Sequence, residues 1–251
     1  MSDVSAPASG ATELDFWDRA ISMLRSFEAS STDTAASAGN GVNAVVERMD
    51  MPSLLALALA LGWASGFRLY AVVFLVGAMG AAGWMVLPAG LQVLQHPAVL
   101  AASGALLFIE FFADKIPGLD SLWDIVNSVI RVPAGASLAA GVFGADHTTL
   151  ALVAALMGGT LAASSQAAKT TTRAAINTSP EPLSNVAASL FEDGLVIGAV
   201  WLATNQPLVF GVVLVFTVVV MWVITWLLFK FLRAAVRRLR AFFSSSSVKE
   251  A

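Results

Sequence analysis

The chain has no cysteine, only two histidines and little charge. Without cysteine there can be no disulfide, thiolate zinc site, iron–sulfur cluster or cysteine nucleophile. His96 and His147 are too few to build a histidine metal cage, so no metal site is expected. There is no Walker motif, nucleophile elbow, zinc motif or dinucleotide fingerprint. That speaks against an ATP-driven pump or a familiar hydrolase, and no enzymatic activity, cofactor or nucleic-acid partner is expected. Charged residues are 12% of the 251, against about 25% in soluble domains. What the chain does have is apolar surface: 57% of its residues are hydrophobic, with a mean hydropathy of +0.78. This composition predicts a multi-pass membrane protein with the lipid bilayer as its main partner.

The opening fifty residues differ from the rest. They are polar, with no basic start and no early apolar core, so a cleaved signal peptide is not expected. The first apolar segment should then act as an uncleaved anchor. Within 13–28, Leu14, Trp17, Ile21 and Leu24 fall at helical spacing, and Thr12 with Asp15 fits a capping box. A short amphipathic helix is predicted there, followed by a flexible linker over 29–42 rich in Ser, Thr, Ala and Gly. The expected organisation is a cytoplasmic region over 1–50, a six-helix transmembrane domain over 51–232, and a basic then serine-rich cytoplasmic tail over 233–251.

Six apolar segments approach the ~20 residues a bilayer requires. They cover about 53–87, 98–113, 122–142, 149–168, 183–204 and 208–232. The first is too long for one straight span and holds Arg68 near Gly62 and Gly66, which predicts a tilt or a break near Gly66. Pro133 and Gly135 predict a kink in the third. Gly158-Gly159 with many Ala and Ser gives the fourth a close-packing face. The sixth, nearly pure Val, Leu, Phe and Trp, reads as the most lipid-facing.

Lys and Arg set the orientation. The connections after segments one, three and five have neither; those after two, four and six carry Lys115, then Lys169 and Arg173, then the arginines of 233–240. Six spans with both termini cytoplasmic satisfy the rule. The six also divide into two triplets, which would make an inverted repeat. Leu107-Phe-Ile-Glu110 and Leu190-Phe-Glu192 are weak echoes of one another.

The polar residues of the spans are spaced in stripes. Glu110 and Asp114 are four apart. Asp120, Asp124, Asn127 and Arg131 follow at intervals of 4, 3 and 4, and Asn185, Ser189 and Glu192 at 4 and 3, with Asp193 adjacent. Ile116-Pro-Gly118 marks a turn between the first two stripes. Ionisable groups at membrane depth are costly and mark pathways or binding sites. Glu110, Asp124 and Glu192 are the leading candidates for ion or proton binding, with Asp114, Asp120 and Asp193 in the second rank. Arg68, Asn127 and Arg131 are the expected charge partners, and Gly66, Pro133 and Gly135 the expected hinges. The other reading of the same residues is a structural ion-pair network. Lys169 to Arg173 read as a solvated loop, Lys115 as an interfacial snorkel, Asp146-His147 as a turn, and the arginines of 233–240 as a topology signal with affinity for anionic lipid.

At Glu110-Phe-Phe-Ala-Asp-Lys-Ile-Pro-Gly-Leu-Asp-Ser-Leu-Trp-Asp124, continuing to Arg131-Val-Pro-Ala-Gly-Ala136, the chain resembles a bacterial inner-membrane family catalogued as domain of unknown function 4126. Gly66-Phe-Arg-Leu-Tyr70 and His96-Pro97 are similar too, and the resemblance covers roughly 52–232. It implies a multi-pass membrane protein of the bacterial inner membrane and brings no activity with it. A weaker likeness is to transporters of the lysine-exporter type, which have six spans in inverted triplets and an acidic Glu-x-Gly-Asp-Lys motif. Here Glu110 to Lys115 has an extra residue and no glycine.

Three functions remain open at this point. One is a secondary transporter of a cation or small polar solute. Another is a non-transporting scaffold or lipid-interacting protein, and the third an intramembrane enzyme using carboxylates as acid and base. The sequence is compatible with a homo-oligomer.

Overall fold

A computed structural model describes residues 50–116, 118–178 and 182–247, and the side chains of these except 182 and 239–247. The chain divides into two units, Met1–Glu47 and Arg48–Ala251. The expected amphipathic helix at 13–28 and the linker at 29–42 lie outside the described residues.

The described residues form an all-helical protein without strands. The order is α1 (Met51–Ala81), a 3₁₀ helix (Ala89–Gln95), α2 (Pro97–Ala113), α3 (Leu119–Phe143), α4 (Thr148–Ile176), α5 (Pro182–Asn205) and α6 (Pro207–Ser247). Five helices are long and apolar enough to cross a membrane. A sixth span results if the 3₁₀ helix and α2, bent by 70° at His96, count as one. The bend has a local cause. Pro97 begins α2 at the position where its missing N–H costs nothing, and His96 Nδ1 accepts from the Ala98 N–H at 3.2 Å.

α1 is the axis of the bundle. Every residue from 60 to 69 is buried, and α2, α3, α4 and α5 all pack against it. Small residues permit the close approach. Gly62 and Gly158 face each other so tightly that a Cβ on Gly62 would strike the Gly158 backbone, and one on Gly66 would strike the Ala162 backbone and Ser165. The close-packing face expected of the fourth segment is thus turned onto α1.

The expected break in α1 is present, but at Arg68 (φ −146°, ψ 83°) rather than at Gly66. Side chains of α4 enter the α1 hydrogen-bond ladder on the preceding turn. Ser165 Oγ donates to the Trp63 carbonyl at 2.7 Å, and Lys169 Nζ donates to the Phe67 carbonyl at 3.1 Å. Such intrusions are a recognised cause of helix kinks. Gly66 serves close packing instead. α3 continues through Pro133 and Gly135 as one helix to Phe143, and Gly135 lies against Ser65 and Ala162.

Two helices run further than their hydropathy indicates. α4 extends to Ile176, so Lys169 to Arg173 are helical and not a loop. α6 extends through the arginines to Ser247. Its 41 residues span roughly 60 Å at 1.5 Å per residue, about twice the hydrocarbon core. No Pro or Gly interrupts 212–247, and Ala, Leu and Arg favour helix there. α6 is also the most exposed of the spanning helices, as its composition predicts.

Candidate functional site

The site forms where helix ends converge on the middle of α1. α1 brings Arg68, α2 ends in Glu110 and its C-cap Asp114, and α3 carries Asp124 in its second turn and Arg131 near its middle, two turns apart. Late in α4, Gln166, Lys169 and Arg173 are spaced 3 and 4, hence on one face. Early in α5, Asn185, Ser189 and Glu192 share a face and Asp193 adjoins it. Arg68, Glu110, Asp114, Asp124 and Arg131 are fully buried, Lys169 and Arg173 are 1% exposed, and Glu192 is 6% exposed.

Each cation bridges several carboxylates. Arg131 donates through Nη1 to Asp124 Oδ1 and to Gln166 Oε1, both at 2.8 Å, and through Nη2 to Glu110 Oε1. Arg68 places Nη2 2.8 Å from Asp114 Oδ2 and Nε 2.8 Å from Asp193 Oδ1. Arg173 Nη2 lies 3.1 Å from both oxygens of Glu192, while Nη1 donates to the main-chain oxygens of Asp114 at 3.2 Å and Asn185 at 3.3 Å. Lys169 Nζ is at the centre. It lies 3.2 Å from Glu192 Oε2, 3.3 Å from Asp124 Oδ1, 3.6 Å from Asp114 Oδ2 and 3.8 Å from Glu110 Oε1. The result is one network from five elements, with five carboxylates (Glu110, Asp114, Asp124, Glu192, Asp193) against four cations (Arg68, Arg131, Lys169, Arg173).

Acceptor capacity is left over inside it. Asp114 Oδ1, Glu110 Oε2 and Asp124 Oδ2 are buried without accepting a hydrogen bond. The network meets two openings. Asp193, with a quarter of its side chain exposed, lines a groove of about 430 Å3 walled by Phe74, Phe108 and Phe111. Lys169 and Glu192 line a cavity of about 300 Å3 with Phe67, Thr172 and Phe191, roofed by Thr217 and Thr225 of α6.

Five of the six predicted carboxylates therefore meet in one place; Asp120 does not. Its Oδ1 accepts from the N–H groups of Gly118 at 2.8 Å and Ser121 at 2.6 Å, and Asn177 Nδ2 lies 3.1 Å from both its oxygens. It fastens Gly118, which takes φ 89°, to the end of α4. Asn127 is no charge partner either. Its amide donates to the Trp123 carbonyl at 2.8 Å, and its Oδ1 accepts from Tyr70 at 2.7 Å. Lys115, beyond the end of α2, lies over the Phe111 ring and donates to the Phe111 carbonyl. Burial, with Arg68 nearby, holds its ammonium below the usual lysine range.

Sequence reasoning missed Lys169, Arg173 and Gln166. The signal was available: 166, 169 and 173 have the same helical spacing that marked the stripe on α3. Hydropathy falls at Lys169, and ending the span there put two buried cations into a loop. They accordingly drop out of the loop charges that set orientation.

A family model described as domain of unknown function (DUF4126) matches residues 55–227, a stretch that holds every member of the network. No curated protein and no solved structure matches the chain, and the likeness to lysine-exporter-type transporters is not shown. This membrane protein with a buried multi-helix charge network belongs to the DUF4126 family.

Proposed function

We propose that the protein is a secondary transporter of a cation or small polar solute, with the network as its ion- or proton-binding site in an occluded arrangement. The observation that carries this reading is the imbalance of five carboxylates against four fixed cations, four of the carboxylates sealed in the core and the fifth, Asp193, at its edge with a quarter of its side chain exposed. An uncompensated buried charge costs several kcal/mol. The fifth carboxylate therefore calls for a proton or a mobile cation, which is the property a coupled carrier uses. Glu192 and Asp193, the two members that border openings, are the groups through which either would exchange.

The inverted-triplet reading belongs to the same proposal. Glu110 of α2 and Glu192 of α5 take corresponding places in the two triplets, and both approach Lys169 Nζ. A bacterial inner-membrane location with both termini cytoplasmic is supported by Lys115, by Arg48, and by the exposed Arg233, Arg237 and Arg238 on α6.

A second reading, a non-transporting scaffold with a structural ion-pair core, is favoured by one specific feature: Glu110 and Asp124 are sealed on either side of Arg131. Proton and cation flux in proteoliposomes separates the two. Wild type is compared with Glu110→Gln, Asp124→Asn and Glu192→Gln, each checked for folding. Ion-dependent flux lost in the variants supports the carrier. An absence of flux from folded wild type with every ion tested removes it in favour of the scaffold.

A further inference from the structure

The surroundings of Lys169 Nζ are those of a cation site. Carboxylate oxygens from α2, its C-cap, α3 and α5 lie 3.2–3.8 Å away. A fifth oxygen, the Phe67 carbonyl beside the break in α1, lies at 3.1 Å. Four of the five are side-chain anions, far more than one ammonium group needs. Asp114 is fully buried; its Oδ2 is shared between Arg68 Nη2 at 2.8 Å and Nζ at 3.6 Å, and its Oδ1 accepts no hydrogen bond. A lysine ammonium is a compact point charge with three donors. Its position is where a free ion of the same chemistry would be held.

We infer that this cage is a binding site for ammonium or a primary alkylammonium ion, and that the Lys169 side chain is a tethered competitor occupying it. This rests on reading the network as a cation site, and it names the class of cation. The spacing decides the class. Calcium and magnesium require oxygens at about 2.0–2.6 Å, whereas the cage oxygens stand at 3.1–3.8 Å, the nearest three (Phe67 carbonyl, Glu192 and Asp124) at 3.1–3.3 Å, near N–H···O distance. The cavity of about 300 Å3 that Lys169 itself lines gives the displaced chain somewhere to go and the incoming ion a way in. Lys169 and the free ion exclude each other. Each binding event displaces the lysine and each release restores it, so the site is never left empty of positive charge.

The test is chemical rescue of the full chain in detergent. Lys169→Ala leaves five carboxylates facing three fixed cations, and its thermal midpoint in choline chloride should fall well below wild type. Ammonium or methylammonium chloride at the same ionic strength should raise it by several degrees along a saturating curve, as a ligand selective for the folded state does. Wild type should respond much more weakly to ammonium, because Lys169 competes for the cage, and not at all to choline. Lys169→Ala combined with Glu192→Gln removes one charge of each sign, and should fold without added ion and lose most of the ammonium response. The inference is overturned if Lys169→Ala responds no more to ammonium than wild type does, responds equally to choline, or stays unfolded in every salt. A double variant that keeps the full response overturns it as well. Rescue without wild-type flux would remove the carrier and leave the cage; flux without rescue would do the opposite.

Discussion

Arg173 of α4 clamps Glu192 of α5, with Nη2 3.1 Å from each carboxylate oxygen and Nε 3.3 Å from Oε1. The two residues are 19 apart in sequence and lie on either side of the α4–α5 connection. The remaining donor, Nη1, holds the main chain of both α5 and the α2–α3 turn. One guanidinium thus ties three segments together using its planar fork, which a lysine cannot reproduce.

Removing Arg173 should be costly. Arg173→Ala leaves Glu192 buried with one fewer partner and should lower unfolding stability by about 3–5 kcal/mol. Arg173→Lys should recover only part, because it loses the bidentate geometry. Denaturant unfolding in detergent checks both; an alanine variant as stable as wild type would show that the clamp contributes nothing to the fold.

The packing of α4 against α3, with α1 close behind, depends on having no side chain at Gly158. Gly158→Leu would push into Ala139 and the Gly135 carbonyl and should cost about 1–3 kcal/mol or more, through overpacking. Gly194 is the control, since a Cβ there meets nothing within 4 Å. Gly194→Ala should be neutral or stabilising by up to about 1 kcal/mol, by the usual cost of glycine within a helix. The two variants are compared by thermal unfolding and by the monodisperse fraction on size exclusion.

Asp120 and Asn177 should behave as a fastener and not as part of the ion site. Asp120→Ala and Asn177→Ala should each cost about 1 kcal/mol, and together less than the sum, because they share one set of hydrogen bonds. Neither should change the ion dependence of any flux. A change in ion selectivity with Asp120→Asn would place this carboxylate back among the binding groups.

The sequence by itself determined that the protein is helical and membrane-spanning, because runs of about twenty apolar residues have no other stable home. It also determined which side chains share a face, because helical spacing fixes that from residue numbers alone; the stripe from Asp124 to Arg131 and that from Asn185 to Glu192 are both real. Only the tertiary structure decided which stripes meet. Lys169 and Arg173 look like loop charges until α4 is seen to continue past them, and hydropathy cannot register that, because it scores a lysine the same whether it faces water or four carboxylates. Asp120 and Asp124 are the same residue type one helical turn apart, yet one fastens a turn and the other faces Lys169. Their roles diverge because a contact between helices depends on where the helices cross, and the crossing is set by the glycines of α1, α3 and α4 acting together. The break at Arg68 follows the same logic: its cause lies on α4, about a hundred residues away in the chain.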